Sequence, residues 1–202
     1  MLLCSRESIS GLCRGAVHQG IAAVTGPYNY ASLQSVLSSV RNSGEKGMLL
    51  ILDGILDPVN LGSLIRSAAA WGAQGIVIPK DRSAQVSPTV IKISAGGTEY
   101  VRISRVTNLS QTMVLLKKQG YWLYGADPDA SKDLSELNLD TDIGFVIGGE
   151  GLGIRRLIKK HCDVLFRIPT ACQIPLNAAV AGATVLYEVI RQRIFKAKKL
   201  LI

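Results

Sequence analysis

The chain is poor in aromatic side chains, which make up 5% of its 202 residues. That leaves little material for the base-stacking platforms used by single-strand binders, so any nucleic-acid contact is expected to be mainly electrostatic. Its four cysteines, Cys4, Cys13, Cys162 and Cys172, form no C-x-x-C pair, and only His18 and His161 could join them as ligands. No metal centre is expected, and the thiols read as reduced. Long apolar runs are missing as well. The opening Met1-Leu2-Leu3 is followed closely by Arg6 and Glu7, too short for a signal-peptide core, and no stretch approaches the length of a bilayer span. A cytoplasmic protein with no membrane partner is expected.

What the chain does have is core material and positive charge. Hydrophobic residues are 48% of the total, enough for one domain of ordinary size with a short appendage. The net charge of +8 favours a polyanionic partner, nucleic acid before membrane. From Met48 onward, short apolar runs alternate with helical patterns. Strands are expected at Met48 to Leu52, Gly75 to Ile78, Tyr100 to Ile103, Tyr121 to Gly125, Ile143 to Ile147 and Val164 to Ile168. Helices are expected over Leu61 to Trp71, Pro88 to Ser94, Leu109 to Gln119, Ile154 to Lys160 and Asn177 to Phe195. This alternation predicts an α/β domain with a mainly parallel sheet and helices on both faces. Residues 1–45 read differently, as a weak helical stretch around Ser8 to Val17, an apolar run at Gly20 to Val24, and a Ser-rich segment to Ser43.

Three segments carry candidate chemistry. In Asp57-Pro58-Val59-Asn60-Leu61-Gly62-Ser63-Leu64-Ile65-Arg66-Ser67-Ala68, Asn60 is a natural helix N-cap and Leu61, Leu64, Ile65, Ala68 and Ala69 form a buried stripe. Arg66 stands among small residues on the opposite face, and spacing alone allows either a solvent-facing Arg or a site residue. In Gly148-Gly149-Glu150-Gly151-Leu152-Gly153, glycines permit a sharp turn and close approach of a ligand to the backbone. The spacing is not G-x-G-x-x-G, and Glu150 places a carboxylate where a pyrophosphate needs positive potential. A cofactor without phosphate fits better than a dinucleotide, and a plain strand-ending turn stays open. In Ile168-Pro169 and Leu176-Asn177-Ala178-Ala179-Val180-Ala181-Gly182, Asn177 stands at a capping position and the small residues allow close packing.

Taken together, these segments resemble the three motifs of the SpoU (TrmH) family of the SPOUT class, RNA ribose 2'-O-methyltransferases that use S-adenosylmethionine. The resemblance implies a Rossmann-like domain with a deep C-terminal trefoil knot, and a homodimer that shares active sites. It implies that Asn60, Arg66, Glu150 and Asn177 are polar active-site residues and that Gly148, Ile168 and Leu176 contact the cofactor. A guanidinium keeps its proton in nearly every protein environment, so Arg66 is expected to orient the target nucleotide and stabilise the developing alkoxide. Pro175 stands where the family usually has Ser, which removes a hydroxyl.

The likeness is closest to the family's bacterial enzymes that methylate a guanosine ribose in the peptidyl-transferase region of 23S ribosomal RNA. It extends through Pro79-Lys80-Asp81-Arg82-Ser83-Ala84-Gln85 and Arg105-Val106-Thr107-Asn108-Leu109. By this resemblance residues 1–45 correspond to the end of an RNA-binding domain similar to ribosomal protein L30e plus a linker, and 46–202 to the methyltransferase domain. A tRNA ribose methyltransferase and a catalytically weak RNA-binding member of the same fold are the alternatives; a nucleotide-dependent oxidoreductase is the outside reading. Arg191, Arg193, Lys196, Lys198 and Lys199 are candidates for RNA phosphate contact or a solvated helix tail.

Overall fold

The structure, a computed structural model, describes residues 2–13, 17–172 and 174–199. Its apolar runs pair into a seven-stranded parallel sheet: β1 (Met48–Asp53), β2 (Gly75–Pro79), β3 (Arg102–Val106), β4 (Trp122–Ala126), β5 (Lys132–Asp133), β6 (Ile143–Gly148) and β7 (Val164–Arg167). The spatial order is β3-β2-β1-β6-β4-β7-β5. The chain therefore builds outward from β1 on one side, then crosses to the other. In an open parallel sheet, the carboxyl ends of the strands beside such a switch point are where ligands bind.

Strand alternation divides the interior into two layers. Leu50, Leu52, Ile76 and Phe145 face one side. There they meet Leu61, Leu64, Ile65 and Ala68 of α3 (Pro58–Ala70), Val90 of α4 (Pro88–Ile93) and Val185, Leu186 and Val189 of α7 (Ala178–Lys199). Leu49, Ile51, Val77, Leu123 and Val146 face the other. They cover Val36, Leu37 and Val40 of α2 (Leu33–Ser43), Leu109, Met113 and Leu116 of α5 (Leu109–Lys118) and Ile158 of α6 (Arg156–Lys159). The expected three-layer architecture is present.

Several local expectations need correction. Asn60 does not cap α3. Asp57 does, its Oδ1 accepting from Val59 N at 2.9 Å, with Pro58 at the first helical position where its missing N–H costs nothing. Asn60 lies inside the first turn and is buried. The strand expected at Tyr100 to Ile103 runs instead from Arg102 to Val106, in register with all of β2. The Ser-rich segment forms α2, capped by Ser32 and closed by Gly44 in the left-handed conformation. α2 precedes the boundary expected near residue 45, yet its apolar stripe belongs to the sheet's second layer. The helix expected over Ser8 to Val17 is α1 (Arg6–Leu12), and residues 14–16 lie outside the described residues.

Arg191 and Arg193 are tied to the protein. Arg191 pairs with Glu188 at 2.7 Å, and Arg193 donates to the carbonyls of Leu139, Lys46, Gly47 and Thr141 at 2.9 to 3.3 Å. The side chains of Lys196, Lys198 and Lys199 lie outside the described residues. Among the described residues, no helix is long and apolar enough to cross a membrane.

Candidate active site at the carboxyl edge of the sheet

Four strand ends build the site. β1 ends at Asp53, almost fully buried, whose carboxylate accepts from Arg155 N at 2.8 Å and Arg155 Nε at 2.8 Å and pairs with the rest of the guanidinium at 2.6 Å. Asp53 O in turn accepts from Gly149 N at 2.9 Å, and Gly153 N closes back onto Gly149 O at 3.0 Å. The glycine run after β6 is thus pinned at both ends by one aspartate. Its glycines are needed for contact: a Cβ on Gly149 would lie 2.2 Å from Gly54 O, and one on Gly148 would lie 2.1 Å from Gly153 C.

The pinned loop presents Glu150. Its Oε1 accepts from Asn60 Nδ2 at 2.8 Å and from Asn177 Nδ2 at 2.8 Å, while Asn177 Nδ2 also donates to Asn60 Oδ1 at 3.0 Å. The orientation of this cluster is set by α7. Asn177 Oδ1 accepts from Ala179 N at 2.8 Å and Val180 N at 3.3 Å, capping the helix as its sequence position predicts. With the oxygen engaged there, the amide nitrogen must face Asn60 and Glu150. Three residues far apart in sequence, expected to share a site, are brought together.

Beside the cluster opens a cleft of about 1020 Å³ between the ends of β4, β6 and β7. Gly148, Glu150, Ile168 and Leu176 line it, along with Asp127, Asp129 and Pro175. Asp127 is held by Lys159 Nζ at 2.6 Å. Arg66 is not brought to this cleft. It is exposed on α3, where its backbone packs on Gly97 so closely that a Cβ there would lie 3.2 Å from Arg66 Cα. Its guanidinium has no partner among the described residues. The reading of the sequence missed Asp53, Arg155, Asp127 and Lys159, because both pairs form across distant segments with no local spacing to announce them.

Residues 47–187 match the model of the SpoU rRNA Methylase family. The chain belongs to that family. It is 43% identical over 188 residues to a protein of Synechocystis sp. named as a tRNA/rRNA methyltransferase, covering 93% of this chain and 49% of that one. It is 41% identical over 189 residues to a protein of Staphylococcus saprophyticus assigned by name to the TrmH tRNA/rRNA methyltransferases, covering 93% and 76%. The chain thus spans about half the length of the first of these relatives. Among solved structures, the SpoU methyltransferase AviRb of Streptomyces viridochromogenes with AdoMet bound superposes with TM-score 0.70 at 30% identity, over 74% of this chain and 62% of that one. The AdoMet-bound rRNA methyltransferase of Sinorhizobium meliloti shares the fold at TM-score 0.76 and 22% identity, over 93% and 70%.

Proposed function

We propose that this SpoU chain is a cytoplasmic RNA methyltransferase that transfers a methyl group from S-adenosylmethionine to the 2'-oxygen of a guanosine ribose in the peptidyl-transferase region of 23S rRNA, working as a homodimer. The observation that carries the reading is the Asn60–Glu150–Asn177 cluster set against a glycine-walled cleft at the sheet's switch point.

The lining fits S-adenosylmethionine by its chemistry. Backbone groups of residues 148–151 and the apolar Ile168 and Leu176 suit a nucleoside, while Asp129 and Glu150 suit a molecule bearing positive charge. Among the described residues, the lining cation Arg167 is paired with Asp133 at 2.6 Å, which leaves no positive cradle for a pyrophosphate. When bound, the cofactor supplies an electrophilic methyl carbon, so that alignment with the attacking oxygen provides most of the rate enhancement. Gly148, Ile168 and Leu176 hold it, while Glu150, fixed by two amides, offers its second oxygen toward the reacting groups. Arg66 keeps its proton and stabilises charge developing on the ribose oxygen. In a homodimer, Arg66 serves the cleft of the other subunit, which accounts for its place outside its own. Exposed Leu56, Val59, Leu152 and Val180 near the site support such an association.

Labelled methyl transfer to unmodified 23S rRNA and to tRNA, with the product nucleotide mapped by digestion and mass spectrometry, tests the substrate. A single 2'-O-methylguanosine in the peptidyl-transferase region is expected, and methylated tRNA instead would overturn the choice of RNA. Arg66→Ala is expected to lower kcat roughly 10²- to 10³-fold with cofactor affinity retained; near-normal transfer would remove its role. A monomer by sedimentation at micromolar concentration would remove the shared site. Pro175 in the cleft wall favours a second reading, a binding member of the family with weak catalysis, which cofactor binding without transfer to any RNA would support.

A further inference from the structure

Among the described residues, two that are not glycine have a positive φ: Ala95 at 49° and Arg82 at 54°. Ala95 needs no special account, because it ends α4, where a left-handed residue commonly closes a helix. Arg82 closes nothing. It sits in the turn after β2, in a conformation that a residue with a Cβ adopts at a conformational cost. The flanking chain enforces that conformation. Lys80 N donates to Val106 O at 2.8 Å, Ala84 N to Ile55 O at 2.7 Å, and Gln85 Nε2 to Pro79 O at 3.1 Å. Tyr30 OH donates to Gln85 Oε1 at 3.4 Å and accepts from Val86 N at 2.8 Å.

None of these bonds engages the Arg82 side chain. It is exposed, and its guanidinium has no ion-pair or hydrogen-bond partner among the described residues. Its backbone nevertheless lies against the site. Arg82 O is 4.0 Å from where a Cβ on Gly54 would stand, and Gly54 O is 2.2 Å from where a Cβ on Gly149 would stand. Arg82, Gly54 and Gly149 are therefore stacked in sequence, and Glu150 follows directly. A rigid turn thus holds a free guanidinium at the carboxyl edge of β2, on the flank of the site away from the acid-lined cleft.

We infer that Arg82 is an RNA-contact residue that grips a phosphate of the substrate strand and so positions the target ribose over the Glu150 loop. The inference rests on the RNA-modifying reading above. A guanidinium presents a fork of donors that matches phosphate oxygens, and holding its backbone fixed reduces the ordering cost of the contact. Exposed Lys80, two residues earlier, adds charge of the same sign to the turn.

Binding of a protein-free transcript of the 23S peptidyl-transferase domain, measured between about 50 and 200 mM salt, tests the inference. Arg82→Ala should weaken binding about tenfold and lower the slope of log affinity against log salt by about one, with S-adenosylmethionine affinity unchanged. Arg82→Gly guards against misfolding, because glycine suits a φ of 54°. It should keep or raise the unfolding temperature while losing the same RNA affinity and slope. Arg82→Lys should restore the slope but only part of the affinity. Wild-type affinity and slope in Arg82→Gly would overturn the inference while leaving the methyltransferase reading intact. A wild-type chain that binds no RNA would overturn both.

Discussion

The two ends of the sheet treat their polar groups in opposite ways. At the amino end, one side chain closes the structure: Arg193 of α7 reaches the carbonyls of Lys46, Gly47, Leu139 and Thr141, leaving that guanidinium engaged inside the fold. At the carboxyl end, Asp53 and Arg155 likewise satisfy each other, but beside them Arg82 and one oxygen of Glu150 are left without protein partners among the described residues. The same residue type staples one end and is held ready at the other. The contrast shows that charge alone does not mark a binding surface in this protein. Arg82, inferred above to contact RNA, differs from Arg193 in having no internal acceptor among the described residues.

Mutation can break the comparison. The largest effect on stability is expected from Arg155→Ala, which strands the buried Asp53 carboxylate with one backbone donor. We expect a loss of about 3 kcal/mol in denaturant unfolding, together with weaker S-adenosylmethionine binding by calorimetry, because the glycine loop loses its anchor. A stability change with cofactor affinity untouched would separate the pair from the site. Arg193→Ala should cost about 2 kcal/mol by exposing four carbonyls to poorer partners, yet leave cofactor affinity within error. A change in that affinity would mean the two ends are not independent. Asn177→Ala should cost about 1 kcal/mol through the lost helix cap and lower kcat more than it alters stability, since it also releases Glu150.

The smallest effect at neutral pH concerns Cys162, between the two ends. Burial, with Asp163 nearby, pushes its thiol from the usual 9.0 up to about 12. Burial raises the Tyr121 hydroxyl from 10.0 to about 12 as well. Both groups hold their protons more tightly when folded. Their contribution is fully present below pH 9 and is lost as pH rises toward 12, so stability should fall across that window. Cys162→Ala should make the decline shallower. At pH 8, Cys162 should react with a thiol reagent far more slowly than the exposed Cys4 and Cys172.

How much of this could be read in advance depended on where the information sits. Six strands were legible because apolar runs flanked by turns are a local signal. β5 was not, being only Lys132 and Asp133. α2 hid behind its serines, although Ser32 before it, Gly44 after it and the stripe Val36, Leu37, Val40 were available signs. Local spacing makes Asn60 a cap for a helix that Asp57-Pro58 starts three residues earlier, whereas the motif resemblance makes it a site residue, and the structure places it in a cluster spanning the chain. The Asn60–Glu150–Asn177 site was approached through motif resemblance; its hydrogen bonds, the Asp53 pin and the held turn at Arg82 exist only once distant segments meet.

That dependence has a consequence for how the protein comes into being. α7 is fastened at its start by Asn177 to Asn60, 117 residues away, and near its end by Arg193 to Lys46, 147 residues away. The first strand and α3 are made early, but Glu150 cannot be held between its two amides until Asn177 has been added. At typical synthesis rates that interval is about 6 to 23 s, during which strands β2 to β7 are added while the site stays unassembled. Competence therefore arrives late in synthesis, with the helix that reaches both ends.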